Sequence, residues 1–281
     1  MRARTTATMK TKPTEQIAER RAGSLPLIIS SLIAVGCLFY RLRKIVGEFF
    51  GLYLEDDFNH YYATAWLMLR SRIPYGIPFR ETALADAFHW HPLVPSATNP
   101  PFLALLTAPL ALFEPLIAWC LWEAVIIAAM LAAFLWTIEA LGKTWITWER
   151  ICAFLLLLGS YPFLAAIVHS QVQPIVVVLL ICGWRLARRV EAEPLAADGG
   201  IRWAAAAMLW GMCVAIKFYC WPVLLFLLAR KQYRDAVIGG LTAGICLGLP
   251  TLLYGPEIFS SFARHAVPII ESSGRTLGHN I

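Results

Sequence analysis

The sequence predicts an all-α fold, a polytopic bundle of transmembrane helices, and three observations carry that prediction. First, 59% of the residues are hydrophobic and only 15% are charged, whereas a soluble domain carries about 25% charged residues. Second, the apolar residues fall in long runs of the length that crosses a bilayer, and the mean hydropathy is +0.62. Third, Lys and Arg cluster before the first run and in short gaps between later ones, as in cytoplasmic loops of membrane proteins. The net charge of +6 therefore speaks of membrane topology, and no nucleic-acid partner is expected. The seven cysteines all lie in or beside apolar runs without CxxC or Cys/His spacing, which makes them small core residues and not a metal or disulfide framework.

Residues 1–23 carry Arg2, Arg4, Lys10, Lys12, Arg20 and Arg21. This basic stretch is long, shows no evident small-residue cleavage site, and precedes several further spans. It reads as a retained cytoplasmic N-terminus and not a cleaved signal peptide. Residues 24–281 then form one transmembrane domain. Its first span runs over 25–40 and meets Arg41, Arg43 and Lys44. Either the helix stops there, or one longer helix carries these bases near the interface, where they snorkel.

An outer loop, 55–113, follows, with charges, His60, His89, His91 and many prolines. Within it, 61–70 reads as a short amphipathic helix and 73–78 (IPYGIP) as a turn-rich break. The run 101–113 is apolar but only thirteen residues long. As a helix it covers about 20 Å at ~1.5 Å per residue, short of the ~30 Å hydrocarbon core, so a juxtamembrane or re-entrant segment is expected. Clear spans are predicted at 115–141 and 151–168, and a shorter one at 174–186. The stretch 203–229 is broken by Lys217 and Pro222, giving one kinked span or two short helices meeting at 217–222. A last span covers 236–254, and 255–281 is a polar outer tail. In that span Gly240, Gly244 and Gly248 recur every four residues, a spacing that lets another helix approach closely, from this chain or from a second copy.

Parity tests the layout. With the N-terminus inside, Lys143 and Arg150, then Arg185, Arg188, Arg189 and Arg202, then Arg230, Lys231 and Arg234 also fall inside. Fifteen Lys and Arg are then inside, while the outer loop and tail hold five: Arg70, Arg72, Arg80, Arg264 and Arg275. The positive-inside rule supports this arrangement and favours a hairpin over 203–229.

Four features carry polar chemistry. Glu55, Asp56 and Asp57 stand where the chain leaves the first span. A partly desolvated carboxylate flanked by another has a raised pKa suited to a general base; the same residues also serve simply to mark a helix end at the interface. Asn99-Pro100-Pro101-Phe102 opens the short apolar run as a proline helix start. His169-Ser170-Gln171-Val172-Gln173-Pro174 is a polar gap on the outer side, either a plain turn or a set of amides and an imidazole facing a sugar. Lys217 lies inside an apolar stretch, where a lysine costs roughly 2.5–3.5 kcal/mol and is paired, functional or snorkelling. At the outer end of a hairpin it suits a phosphate.

In order along the chain, Asp57-Phe58, Tyr61-Tyr62-Ala63, Pro74-Tyr75, Pro100-Pro101-Phe102, Ala108-Pro109-Leu110, Ser170-Gln171-Val172-Gln173-Pro174 and Ala215-Ile216-Lys217 resemble glycosyltransferase family 87. This family belongs to the GT-C class of polyprenyl-phosphate-sugar-dependent enzymes and includes bacterial mannosyltransferases acting on phosphatidylinositol mannosides. Asn99 stands where the family often has tyrosine, Ser170 where it often has glycine, and Gln173 where asparagine is common. Family chains run further than Ile281, so the resemblance also implies a shortened chain.

The resemblance implies a GT-C-type bundle in a bacterial plasma membrane. Its reaction would move mannose or a similar hexose from a polyprenyl-phosphate donor to a lipid or glycan acceptor on the outer face. By it, Asp57 is the general base, with Asp56 as alternate base or orienting group, and Lys217 holds the donor phosphate. Gln171, His169, His279 and Asn280 contact sugar or phosphate, and Tyr61, Tyr62 and Tyr75 stack on a sugar or line the lipid groove. No metal and no other cofactor is expected, since no second carboxylate set is visible. Two other readings are a flippase or transporter for a lipid-linked substrate, which calls for polar residues at mid-bilayer in broken helices, and an inactive fragment with a scaffolding role.

Overall fold

The computed structural model describes residues 57–70, 73–79, 97–140, 147–160, 165–167, 169–192 and 199–269, with scattered positions between 28 and 39. Every regular element among them is helical. The chain divides into two compact units, Met1–Lys44 with Lys143–Leu164, and Ile45–Gly142 with Ala165–Ile281.

In the smaller unit, the described positions from 28 to 39 are helical, and the Ser31 hydroxyl donates to the Cys152 carbonyl at 3.2 Å. Cys152 lies on α4, the helix over Thr147–Gly159. That helix is 13 residues long, and Ser160 closes it by donating to the Leu157 carbonyl from its backbone and hydroxyl. The span predicted over 151–168 is therefore not one continuous helix. A hydroxyl that satisfies the last turn's carbonyl ends the run, although the apolar pattern continues past it.

The larger unit begins with α1, Asp57–Leu69. Sequence suggests an amphipathic helix over 61–70; instead the helix starts at Asp57 and is buried on nearly every side, Phe58, Tyr61, Tyr62, Ala63, Leu67 and Met68 included. The reason is its neighbours. It packs on α2 (Pro101–Thr107), on the 3₁₀ segment Ala108–Leu112 that continues α2, and on α3 (Pro115–Ala140). The Tyr62 hydroxyl donates to the Phe113 carbonyl at 2.8 Å, and the Thr107 hydroxyl reaches the Tyr61 carbonyl. Pro101 and Pro109 each start a helical segment, so the run 101–113 folds as two short pieces, as its length requires.

Helix α5 spans Gln173–Ala192. Its 20 residues cover about 30 Å at ~1.5 Å per residue, longer than the predicted 174–186 segment. Arginines extend it: Arg185 makes a paired hydrogen bond to Glu139 of α3, at 2.6 and 3.0 Å. Helix α6 (Gly199–Ile216) ends at Lys217, a 3₁₀ turn covers Phe218–Cys220, and α7 (Pro222–Ala229) doubles back. The Trp210 and Phe226 rings meet at 6.4 Å across this reversal. Of the two readings of 203–229, two helices meeting at Lys217 is the one found.

Helix α8, Tyr233–Tyr254, crosses α6 closely. The crossing uses Gly211 and Gly239: a Cβ on Gly211 would lie 2.2 Å from the Gly239 carbonyl oxygen. Gly240, Gly244 and Gly248 have nothing within 4 Å of an added Cβ, so the predicted glycine stripe is not the packed one. Around the crossing, Ala187, Ala206, Ala207, Trp210, Leu227 and Ala236 form a buried core.

Among the described residues two helices, α3 and α8, are long and apolar enough to cross a membrane, with mean hydropathies of 2.2 and 1.9. Only 28% and 17% of their apolar windows are buried, so they are not core helices wrapped in protein, and their exposed leucines, isoleucines and valines suit a lipid surrounding. Gly255, at φ +80, ends α8, a conformation a side chain rarely adopts. Beyond it α9 (Glu257–Ser261) and a π-helical turn, Phe262–Ala266, fold back onto the 73–78 turn. Ser261 donates to the Tyr75 carbonyl, the Tyr75 and Phe262 rings meet edge-on at 5.2 Å, and the His265 ring covers Gly76.

Candidate active site

Asp57 is the first residue of α1, where the helix dipole favours a carboxylate. Its backbone N–H donates to the His169 carbonyl at 3.0 Å, which ties the helix start to the 169–173 segment. Four residues on, Tyr61 lies on the same helix face and donates its hydroxyl to Asp57 Oδ2 at 3.4 Å. Gln171 donates a side-chain hydrogen bond to the same carboxylate, and the charges of Lys217 and His169 act on it.

Burial pushes the Asp57 carboxyl above the ordinary carboxylate range; Lys217, His169 and the hydrogen bonds from Tyr61 and Gln171 pull the other way. A partly desolvated carboxylate of this kind is more basic than an exposed one and still ionises. Burial, and then the Asp57 charge, raises the Tyr61 phenol well above its usual value, so Tyr61 stays a hydrogen-bond donor. Burial alone lowers the neighbouring His60 to about 4, keeping it neutral at physiological pH.

The 169–171 turn is built from below by α3. Ser170 has φ +48, the left-handed region that glycine enters freely and other residues reluctantly, which accounts for glycine being common at this position in the resembled family. Its carbonyl accepts from Trp122 Nε1 at 2.8 Å, its Oγ accepts from Trp119 Nε1 at 3.2 Å, and its hydroxyl donates to the Glu123 carboxylate. Trp122 also packs its ring edge on Tyr61 at 5.6 Å. Glu123 is only 8% exposed in the apolar 115–136 stretch of α3.

Five sequence-predicted residues are thus brought together: Asp57, Tyr61, His169, Gln171 and Lys217. Tyr75 is engaged elsewhere, donating to the Asn99 carbonyl at 2.8 Å and packing on Phe262, and Tyr62 is held by Phe113. Asp56, His279 and Asn280 lie outside the described residues. Sequence reasoning missed Glu123, Trp119 and Trp122. The signal was there for Glu123, an acid inside an apolar run, which calls for a partner just as Lys217 does.

Residues 97–276 match the family model of glycosyltransferase family 87. The chain belongs to glycosyltransferase family 87. Sugar transfer is thereby its general activity. No curated protein and no solved structure matches the chain. The matched region of this glycosyltransferase contains the 169–171 turn, Lys217 and the buried Glu123, and it begins after α1. Asp57 therefore joins the site through its contacts with matched elements: its amide on His169 and the packing of α1 on α2 and α3.

Proposed function

We propose that this family 87 protein is a multi-pass membrane enzyme of GT-C type, with its N-terminus cytoplasmic. It transfers a hexose such as mannose from a polyprenyl-phosphate donor to a lipid or glycan acceptor on the outer face. The observation that carries this reading is the partly buried Asp57 carboxylate standing with Lys217, Tyr61 and Gln171 in one polar cluster.

In the reaction, Asp57 takes the proton of the acceptor hydroxyl as its oxygen attacks the anomeric carbon. The bond from that carbon to the phosphate oxygen breaks with inversion, and polyprenyl phosphate leaves with the bonding pair. Lys217 offsets the charge that develops on the phosphate. Tyr61 and Gln171, which donate to Asp57 before reaction, hold the base in place. His169, exposed at the rim, and the tail residues His279 and Asn280 contribute sugar or phosphate contacts. Asp56 is the alternate or orienting acid. The exposed apolar faces of α3 and α8 support the membrane setting.

Asp57→Asn in intact membranes is expected to lower transfer from a polyprenyl-phosphate sugar by about 10³-fold, the upper-middle of what a general base contributes, with normal expression. Near-wild-type transfer in that variant sinks the assignment of the base. Transfer from a nucleotide sugar but not from the lipid-linked donor sinks the assignment of the donor.

A further inference from the structure

We propose that Glu123 is a positioning residue: acting through Ser170, it locks the 169–171 turn against the head of α1 and so sets where Asp57 and Gln171 stand. The inference rests on the reading of Asp57 as the base.

Trp119, Trp122 and Glu123 occupy one face of α3, at the i, i+3, i+4 spacing of neighbours on a helix. All three reach a single residue, Ser170, at its carbonyl, its hydroxyl oxygen and its hydroxyl proton. Two of these contacts fix the serine side chain: Trp119 donates to the oxygen, so the proton is left to point at Glu123. The third fixes the backbone. Ser170 needs such holding because its left-handed conformation is one a residue with a Cβ leaves when released. On either side of it stand the two groups that address Asp57, the His169 carbonyl on its amide and the Gln171 side chain on its carboxylate. An acid in an apolar span is costly to retain, and a plain connecting turn has no use for one. Here it accepts the proton of the serine hydroxyl.

The test uses the full chain in native-composition vesicles, with two readouts: hydrogen exchange of the Asp57 amide, and kcat and KM for a polyprenyl-phosphate sugar. Glu123→Leu should speed exchange of the Asp57 amide about tenfold and lower kcat roughly 30-fold while KM for the donor stays within about 2-fold, the split expected when only transition-state alignment is lost. Glu123→Gln keeps an acceptor oxygen and should stay within about 3-fold of wild type in both readouts. Ser170→Gly removes the hydroxyl but keeps the turn's backbone open to φ > 0, and in that background Glu123→Leu should add less than about 3-fold, because both changes cut the same link.

The proposal is overturned if Glu123→Leu leaves Asp57 exchange and kcat unchanged, if Glu123→Gln costs as much as Glu123→Leu, or if the two losses multiply in the double variant. Should Glu123→Leu not fold, Ser170→Ala, which keeps the Cβ and loses the hydroxyl, must still speed Asp57 exchange, and unchanged exchange refutes the link. Exchange is read without substrate. A chain that transfers no sugar yet shows these exchange changes therefore sinks the transfer reading and leaves the positioning role standing.

Discussion

At the head of α1, four side chains act on the Asp57 carboxylate: Tyr61 from the next helical turn, His169 and Gln171 from the 169–171 turn, and Lys217 from the reversal after α6. At the crossing of α6 and α8, side chains are excluded altogether: Gly211 and Gly239 bring two backbones so close that a single Cβ would strike a carbonyl oxygen. The first region is held by directional hydrogen bonds and charge, the second by the absence of atoms. The two regions should therefore fail differently. Polar substitutions in the first should remove activity with little loss of folded protein, whereas added bulk in the second should remove folded protein, and activity only in proportion.

The sharpest way to break this comparison after Asp57→Asn is Lys217→Met. Its side chain is similar in length, and we expect kcat/KM to fall about 10²-fold, as for loss of one preorganised charge at a reacting group, with the melting temperature nearly unchanged. A loss of melting temperature that tracks the loss of rate would make Lys217 a structural residue.

Gly211→Val is the converse. Overpacking against a backbone that has no room to move should cost about 2–3 kcal/mol, read as lower yield and lower thermal stability, with normal turnover per folded molecule. A stable but inactive Gly211→Val would show that the crossing feeds the site directly.

Tyr61→Phe has a smaller expected effect, a fall in kcat of several-fold, on the order of a lost hydrogen bond to a charged group, and a diagnostic pH signature. As the proposed base Asp57 must be ionised to act, so activity is expected to fall as pH drops through its raised pKa. The Tyr61 hydrogen bond lowers that pKa, and removing it should move the acid limb of the kcat/KM profile to higher pH. For stability the sign is opposite: burying an ionised Asp57 costs stability in full above its raised folded pKa, and the cost fades as pH falls from there to the unfolded value. An acid limb that stays put in Tyr61→Phe would remove the tyrosine from the base's immediate partners.

The smallest effect belongs to Gly244→Ala. Nothing lies within 4 Å of the added methyl, so stability should stay within about ±0.5 kcal/mol; a larger loss in thermal unfolding would mean that this face of α8 is packed against another helix.

Much of this was legible in the sequence for local reasons. Asp57 and Tyr61 are four apart on one helix, so their meeting follows from the helical repeat alone. Lys217 and Pro222 interrupt an apolar run, and the inside bias of Arg230, Lys231 and Arg234 favoured the reversal that the structure contains. What stayed hidden is long-range. Glu123 and Ser170 are 47 residues apart, and no periodicity links a carboxylate in one helix to a hydroxyl in a later turn. The amphipathic reading of α1 failed because its polar-looking face is covered by residues 101–112 and α3, neighbours the local pattern does not encode. Of the two readings of the glycine stripe, the close crossing within the chain does not use it: Gly239, the neighbour of Gly240, makes that contact, and Gly240, Gly244 and Gly248 have nothing within 4 Å of an added Cβ.

The clasp between the 73–78 turn and the π-helical turn has a consequence in time. Ser261 and Tyr75 are 186 residues apart, and at roughly 5–20 residues per second the ribosome needs about 10–40 s to make the second after the first. Within that interval the head of α1 meets first the 169–171 turn and then Lys217, while the 73–78 turn waits for the helix after Gly255. The 57–78 stretch is thus among the first described parts of the larger unit to be made and the last to find its partners, so its protection during biogenesis depends on residues made near the other end of the chain.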